Sequence, residues 1–336
     1  MKKLHSLMLI GLVIITFNPI FAQDCSPNDI TLTTQNQIDN FQATHGPCDN
    51  VVGNLIIQDD DNGLDNIVNL DGLASITDIG GNFEILENQN LNSVSGLSSL
   101  QNITGTFLVN DNPNLGNLMG LSNLTTIGGD LNIDDNSNLA NLNGLSGLNS
   151  VGNDLIINDN ANLIDITALS GVTSIGNNLI VEDNSSLPNI DGLNGIVSVS
   201  GRLAIEENLS LTNVDGLVNL NSVGNNLSIK DNTMLQNIDG LSNLSNVGNN
   251  LVVKDNSLLA ECCGLFKVLN GGTIGGISNI SGNTGNCNNN GADVDEPCEM
   301  VIPTIGEWGL IVLALSFMIM GVLHLLPKNL GSGRTI

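Results

Sequence analysis

Residues 225–248 read NNLSIKDNTMLQNIDGLSNLSNVG, and this 24-residue pattern occurs in eight successive copies without an inserted or deleted residue. We number the copies coils 1 to 8 and the residues of each copy positions 1 to 24. A looser leading coil begins at Gly53 and is four residues longer. A fixed period of this size predicts a solenoid, in which each coil is stable only when it stacks on its neighbours. The coils begin at Gly81, Gly105, Gly129, Asn153, Asn177, Gly201, Asn225 and Asn249.

The apolar positions predict the shape of one coil. Position 3 is Leu or Phe and position 5 is Ile or Val, as in Leu227 and Ile229. This alternation predicts a short strand with one buried face. Apolar residues at positions 11, 14, 17, 20 and 23 favour short extended or tight-turn segments over a long helix. We expect Gly at position 16, and Gly or Asn at the coil boundary, to supply corners with positive φ.

The predicted fold is mainly β: a right-handed parallel β-helix, or solenoid, of about nine 24-residue turns. Its two open ends would expose sheet edges and need caps. Thr34–Gln37 matches a capping box and predicts a short helix that covers the first coil. We divide the chain into a signal peptide at 1–22, an N-terminal cap at 23–52, the solenoid with a C-terminal cysteine cap at 53–298, and a terminal segment at 299–336.

Two neighbouring polar columns run through the repeat. Position 8 is Asn in every regular coil, which favours an internal amide ladder over a row of ligand-binding groups. Position 7 is acidic in every regular coil. It predicts either a solvated negative stripe that keeps the rod soluble or a row of weak calcium sites, since calcium accepts carboxylate and amide oxygens. The position 7 residues are Glu87, Asp111, Asp135, Asp159, Asp183, Glu207, Asp231 and Asp255.

The charge balance restricts the partners. The chain has 34 acidic and 8 basic residues, and its net charge is −26. Such a chain lacks the basic surface that binds phosphate backbones, so nucleic acid and anionic membrane surfaces are disfavoured. Divalent cations, basic partners and neutral glycans remain. The body contains only the basic residues Arg202, Lys230, Lys254 and Lys267. Lys230 and Lys254 share position 6 next to Glu206, which predicts either a solvated ion pair or a polar contact site on the sheet face.

The cysteines and the N-terminus indicate export. Residues 1–22 combine Lys2, Lys3 and an apolar stretch, as in a secretory signal peptide. Six cysteines lie at the two ends of the array, where an exported chain favours disulfides. We expect Cys25 to pair with Cys48, and the other four to pair among themselves in an order left open. A zinc cluster would need closer spacing and a nearby His. The other four are Cys262, Cys263, Cys287 and Cys298.

The repeat resembles leucine-rich repeats and, more closely, the receptor L-domain family of extracellular β-helical domains. The resemblance covers about Thr31 to Cys298 and rests on the run Leu-x-x-Leu-x-x-Ile-Gly-x-x-Leu-x-Ile-x-x-Asn, seen from Leu121 to Asn136. It implies that the sheet face and the edge loops bind protein or glycan partners. No residue of a known site carries over, because the matching positions are structural.

The C-terminal segment predicts a membrane anchor. Residues 309–326 carry no charge and are followed by Lys328 and Arg334, so a spanning helix with a cytoplasmic C-terminus is favoured over a buried core helix. The preceding residues resemble the IPTL-CTERM type of bacterial sorting signal, with Ile305 in place of the usual Leu. This resemblance implies a Gram-negative envelope and an exosortase-type processing enzyme. The motif consists of Ile302, Pro303, Thr304, Glu307, Trp308 and Gly309.

Catalysis has few candidate groups in this sequence. The predicted ectodomain contains one histidine, His45, and the cysteines are better explained as disulfides, so no nucleophile and base can be paired. We therefore predict a non-enzymatic cell-surface protein for adhesion or recognition, either anchored or released after processing, with no cofactor apart from the calcium alternative. A structural envelope scaffold is the second interpretation. A β-helical polysaccharide-active enzyme is a minor third.

Overall fold

A computed structural model describes residues 23–25, 29–60, 63 and 66–288. The predicted signal peptide, Cys298, the sorting motif and the predicted membrane segment 309–326 lie outside these residues. Among the residues that are described, no helix is long and apolar enough to cross a membrane.

The described chain is a stack of coils around one parallel sheet, as the repeat predicts. Eleven parallel strands form this large sheet, and each pairs with the strand one coil away. The pairing keeps the 24-residue register, so Leu155 lies between Leu131 and Leu179. The strands are Ile30–Leu32, Leu55–Gln58, Phe83–Leu86, Phe107–Asn110, Leu131–Asp134, Leu155–Asn158, Leu179–Glu182, Leu203–Glu206, Leu227–Lys230, Leu251–Lys254 and Ser278–Ser281.

A second side of the stack is built from two-residue parallel strands. They divide into a six-stranded and a four-stranded sheet. The first group is Asn50–Val51, Asp78–Ile79, Asn102–Ile103, Thr126–Ile127, Ser150–Val151 and Ser174–Ile175, and the second is Ser198–Val199, Ser222–Val223, Asn246–Val247 and Thr273–Ile274.

The third side is a column of 3-10 turns, which explains the apolar spacing of three. A 3-10 helix has three residues per turn, so positions 14 and 17 both point inward. Position 13 caps these turns. The side chain of Asn141, for example, accepts a hydrogen bond from the backbone N–H of Asn143 at 3.2 Å. The turns are Asp71–Leu73, Ser95–Leu97, Met119–Leu121, Asn143–Leu145, Thr167–Gly171, Asp191–Leu193, Asp215–Leu217, Asp239–Leu241 and Cys263–Leu265.

The core is a continuous row of side chains from positions 3, 5, 11, 14, 17, 20 and 23. Leu155, Ile157 and Leu163 of coil 4 are fully buried, and the same positions are buried in the other coils. Phe83 and Phe107 stack with their ring centroids 5.1 Å apart. Each coil therefore buries its apolar side chains against equivalent ones, which is the stacking that the period predicts.

The prediction about positive φ was wrong in its location. Position 16 glycines do not adopt positive φ; they allow close approach, because a Cβ on Gly96 would overlap the backbone carbonyl of Leu70 in the preceding coil. The positive-φ corner is instead position 7, where φ lies between 52° at Asp111 and 59° at Asp231. Asp is one of the few residues besides Gly that adopt this conformation readily. In the closing coil Gly282, with φ of 71°, takes this place.

The N-terminal cap is a further coil of the solenoid. Two helices, Gln35–Asp39 and Phe41–His45, replace the single predicted helix. Thr34 accepts a hydrogen bond from the N–H of Gln37 at 3.3 Å, as in a capping box. The side chain of Gln37 bonds the N–H of Thr33 rather than that of Thr34. Because strand Ile30–Leu32 joins the large sheet, the coils extend into the predicted cap.

Disulfides lie at both ends of the stack. Cys25 is bonded to Cys48 and Cys262 to Cys287, each pair with Cα atoms 5.1 Å apart. Cys263 is also disulfide-bonded. A short helix, Phe266–Asn270, precedes the closing strand Ser278–Ser281. The disulfides therefore close the first and last described coils, where each coil has a neighbour on one side only.

Candidate recognition surface

The outer face of the large sheet is formed by positions 2, 4 and 6. These alternate with the buried positions 3 and 5, so they point away from the core. Position 4 is an interrupted row of half-buried apolar side chains, including Leu108, Ile156, Ile180 and Val252. Positions 2 and 6 border this row with polar residues. The face therefore offers apolar contact area between polar groups, a composition suited to binding.

Four charged residues meet on this face in coils 5 to 7. An Arg202 amino group donates to Oε1 of Glu182 at 3.0 Å and to Oε1 of Glu206 at 2.6 Å. The Lys230 ammonium lies 2.6 Å from the other oxygen of Glu206. We call Glu182, Arg202, Glu206 and Lys230 the Arg202 cluster. Both carboxylate oxygens of Glu206 have cationic partners, which fixes its side chain in one orientation.

The cluster shields its own centre from water. Only 7% of the Glu206 side chain is exposed, compared with 26% for Glu182. Ala204 and Ser228, on the outer face in the same coils, are also buried. Small side chains at position 4 leave room for the longer side chains at positions 2 and 6 to lie over the sheet. The result is a covered polar patch in the middle of the face.

The environment shifts the pKa values of these groups in different directions. Burial alone raises the pKa of Glu206, but hydrogen bonds from Lys230, Ser228 and Arg202 outweigh it, and its pKa lies below 4.5. Burial and the nearby charge of Glu206 raise the pKa of Glu182 above 4.5, despite Arg202 and Lys230. The hydrogen bond to Glu206 raises the pKa of Lys230 above 10.5. Glu206 is thus the carboxylate that the cluster stabilises in its charged form.

The two lysines of position 6 have different partners. Lys230 pairs with Glu206, as its position predicts, whereas Lys254 pairs with Asp255 at 2.5 Å. Nearly half of the Lys254 side chain is exposed. Lys254 is therefore the more accessible cation on this face. Arg202 was not predicted to join Glu182 to Glu206, although Arg at position 2 is a visible departure from the Asn, Asp and Thr of the other coils.

The position 8 asparagines form an internal ladder and not a ligand row. In coil 4, the Asn160 amide donates to the carbonyl of Ile133 at 2.9 Å, and its oxygen accepts from the N–H of Asn136 at 3.2 Å. All eight of these side chains are fully buried. Asp59 and Asn283 continue the ladder into the leading and closing coils. These amides satisfy backbone groups inside the stack and cannot reach a ligand.

The acidic column at position 7 is solvent-accessible along its length. Desolvation, followed by the charges of Asp111 and Asp159 one coil away on either side, raises the pKa of Asp135 above 3.8. Within the part of the chain that the structure describes, no group of three or more His, Cys, Asp or Glu residues is placed to hold a metal ion. The candidates Asp111, Asp135, Asp159, Asp183, Asp231 and Asp255 thus form a column of interacting like charges, and calcium binding there stays a prediction.

His45 lies at the end of the second cap helix, far along the stack from the Arg202 cluster. Its ring contacts Phe41, with the centroids 4.8 Å apart. Coils 1 to 4 separate it from the cluster in the sequence of coils. The structure therefore does not bring His45 together with the charged groups of the sheet face.

Comparison with protein families gives a match to part of the chain. The family model for the Receptor L domain matches residues 47–164, from the end of the N-terminal cap into coil 4. In a comparison with curated proteins, none matches the chain significantly. The 24-residue register continues past the matched region as far as the strand of coil 8, and the closing strand follows 27 residues later. Over residues 47–164 the chain is similar to receptor L domains, a non-catalytic ligand-binding fold.

Proposed function

We propose that this chain is a non-enzymatic surface protein of a Gram-negative bacterium, and that its outer sheet face around the Arg202 cluster binds a protein or glycan partner. The similarity to a ligand-binding fold and the disulfides at both ends support an extracellular recognition role. The Arg202 cluster gives the face a fixed pattern of charge beside apolar area.

One observation carries the proposal. The inward positions of coils 5 to 7, and positions 3, 5, 11 and 17 of coil 8, follow the repeat, so folding imposes the same demands there as in coils 1 to 4. The outward positions do not follow it: Arg202, Lys230 and Lys254 stand where coils 1 to 4 have Asn, Asp, Thr or Leu. Charged side chains of this kind are not required by stacking. They are the residues through which such a face distinguishes one partner from another.

Binding by the labelled full-length chain to intact bacterial cells and to a glycan array tests the proposal. We expect selective, saturable binding, and at least tenfold weaker binding after Lys230→Ala with Lys254→Ala. The matched control is Asn110→Ala with Asn158→Ala, which alters the same position in coils 2 and 4 and should leave binding unchanged. Equal binding by both double variants would contradict the assignment of the site.

A structural scaffold is the second candidate function, favoured by the rigid, regular stack. A scaffold would show no selective or saturable partner in the same assay. A β-helical polysaccharide-active enzyme, the minor alternative, would degrade array polysaccharides instead of retaining them. Incubating the chain with these polysaccharides and measuring chain length before and after separates this alternative from recognition.

The location of the chain is a separate part of the proposal. We propose export through the signal peptide at 1–22, anchoring by residues 309–326, and processing near Ile302 by an exosortase-type enzyme. Cell fractionation and mass spectrometry of the mature C-terminus test it. A chain that ends at Ile336 and stays in the cytoplasm would contradict this location without bearing on the Arg202 cluster.

A further inference from the structure

A second surface of the stack departs from the repeat, away from the outer sheet face. Positions 9 and 10 hold polar or small residues in coils 1 to 5, such as Ser137 and Asn138. Coils 6 to 8 instead place Leu209, Met234 and Leu258 there, with 48%, 45% and 48% of each residue exposed. We call these three residues the apolar row. They lie in three consecutive coils along the rod axis. The register stacks Met234 on Leu258, both at position 10, and Leu209 is offset from them by one residue, at position 9.

Acidic columns lie on both sides of the apolar row. On one side are Glu207, Asp231 and Asp255 of position 7. On the other side are the exposed Asp191, Asp215 and Asp239 of position 15. The position 7 column runs through all regular coils, but position 15 is acidic only in coils 5 to 7 among the regular coils. The second acidic column therefore overlaps the apolar row in coils 6 and 7, beside Leu209 and Met234.

The spacing along the rod matches an α-helix. Neighbouring coils lie about 4.8 Å apart, and a helix places side chains on one face about every 5.4 Å. Across the two steps of the apolar row the mismatch is about 1 Å. An extended strand repeats its facing side chains about every 6.7 Å, which gives a mismatch of nearly 4 Å over the same two steps. A helix lying along the rod can thus set one apolar residue against each member of the row.

The width of the surface also suits a helix. Position 7 is three residues from position 10, at most about 11 Å away, and position 15 is five residues away, at most about 18 Å. A helix with its side chains is about 10–12 Å across. Basic residues on its two flanks would face the two acidic columns. We propose that the apolar row binds a cationic amphipathic helix of a partner protein, by a surface that does not depend on the Arg202 cluster.

A pair of synthetic peptides tests the proposal. The first is a helical peptide with a leucine stripe flanked by lysines, and the second has the same composition in an order without a stripe. We expect the full-length chain to bind the striped peptide at least tenfold more tightly in fluorescence anisotropy. Equal affinities would mean that the acidic rod attracts any cationic peptide, and would overturn the proposal.

Variants of the chain locate the site. Leu209→Ser, Met234→Asn and Leu258→Asn introduce residues that the repeat itself uses at positions 9 and 10, so the stack is expected to persist, and circular dichroism checks this. The triple variant should bind the striped peptide at least tenfold more weakly and the stripeless peptide as before. Ile164→Thr, at an exposed residue of coil 4, is the matched control and should leave the binding of both peptides unchanged.

Three outcomes would overturn the assignment. The first is undiminished binding of the striped peptide by the triple variant, or by each single variant if the triple variant does not fold. The second is an equal loss in the Ile164→Thr control. The third is a wild-type chain that self-associates through the apolar row in sedimentation and does not dissociate when peptide is added, since the occupant would then be a second copy.

The second acidic column has its own test. Asp215→Asn with Asp239→Asn should weaken striped-peptide binding several-fold at low salt and less at high salt.

Discussion

Coils 1 to 4 and coils 5 to 8 share an interior but differ on their surfaces. Leu131 and Ile133 in coil 3 are buried like Leu227 and Ile229 in coil 7. Outside, coils 1 to 4 have no basic residue, whereas coils 5 to 8 contain every basic residue of the described body. Coils 6 to 8 also expose the apolar row. The inward positions are therefore fixed by the fold, whereas the outward positions are free to differ between coils.

The difference teaches that a regular repeat can contain a localised site. Stacking constrains each inward position in every coil alike, because each coil packs on an equivalent neighbour. Outward positions carry no such constraint, so departures confined to one part of the rod need another cause. The proposed binding would supply one, through charge on the sheet face and apolar area beside it.

The largest expected effect tests whether the two interiors are equivalent. Asn136→Ala in coil 3 and Asn232→Ala in coil 7 each remove a buried amide that bonds carbonyls of its own and the preceding coil. Because several buried backbone groups lose their partners, each should lower the free energy of unfolding by about 3–5 kcal/mol. Chemical denaturation measures both values. A difference above about 2 kcal/mol would show that the interiors are not equivalent.

A smaller effect should distinguish the two outer faces. Glu206→Gln removes the carboxylate partner of Lys230 and one of the two carboxylate partners of Arg202, which keeps Glu182. It should cost about 1–2 kcal/mol at pH 7, since both cations are partly exposed. Asp134→Asn in coil 3 changes a carboxylate whose partners are the neutral amides of Asn110 and Asn158. Asp134→Asn should therefore lower the free energy of unfolding by less than Glu206→Gln does. Denaturation of the two variants in parallel gives the comparison.

The pH dependence of the Glu206→Gln effect has a definite sign. The folded pKa of Glu206 lies below its ordinary value, so its stabilisation is present above pH 4.5 and disappears as the pH falls through the folded pKa. The difference between wild type and Glu206→Gln should therefore shrink below pH 4.5. Glu182, whose pKa is raised by burial and then by the charge of Glu206, acts in the opposite sense, and its shift should be smaller in the variant. A difference that grows on acidification would contradict the role of the ionised Glu206.

Replacing an Asp of the position 7 column by Asn should affect stability differently in coils 1 to 4 and in coils 5 to 8. Asp135→Asn relieves repulsion from Asp111 and Asp159 and keeps a residue that tolerates positive φ, so we expect a gain below about 1 kcal/mol. Asp231→Asn also removes attraction to Lys230 and Lys254. The gain in stability should therefore be smaller for Asp231→Asn than for Asp135→Asn. Thermal melts of the two variants check the order, and a larger gain for Asp231→Asn would contradict it.

The smallest expected effect concerns ions. Sodium chloride should raise the melting temperature by screening the column at position 7. Millimolar calcium at equal ionic strength should raise the melting temperature no further than sodium chloride does if the column is only a solvated stripe that keeps the rod soluble. A clear excess with calcium would instead support calcium sites along the column. Matched thermal melts in the two salts distinguish these interpretations.

Much of the fold could be predicted from the sequence, because one pattern recurs in every coil. The strands, the inward apolar positions and the Asn ladder follow from period and residue type. The role of position 16 was missed, because Gly serves both positive φ and close approach, and only the structure shows the carbonyl of Leu70 against Gly96. The site was harder to predict. Lys230 could be placed beside Glu206, but the reach of Arg202 to Glu182 depends on side-chain conformation across coils.

The central claim is that the outward residues of coils 5 to 8, and not the repeat itself, recognise a partner. The most direct measurement compares the wild-type chain with a triple variant, Arg202→Asn with Lys230→Asn and Lys254→Asn, which restores residues used elsewhere in the repeat at these positions. Both are tested for saturable binding to the same cells and glycan array. We predict an unchanged fold and a loss of binding of at least tenfold. Binding retained within twofold, or no saturable binding by the wild-type chain, would contradict the claim.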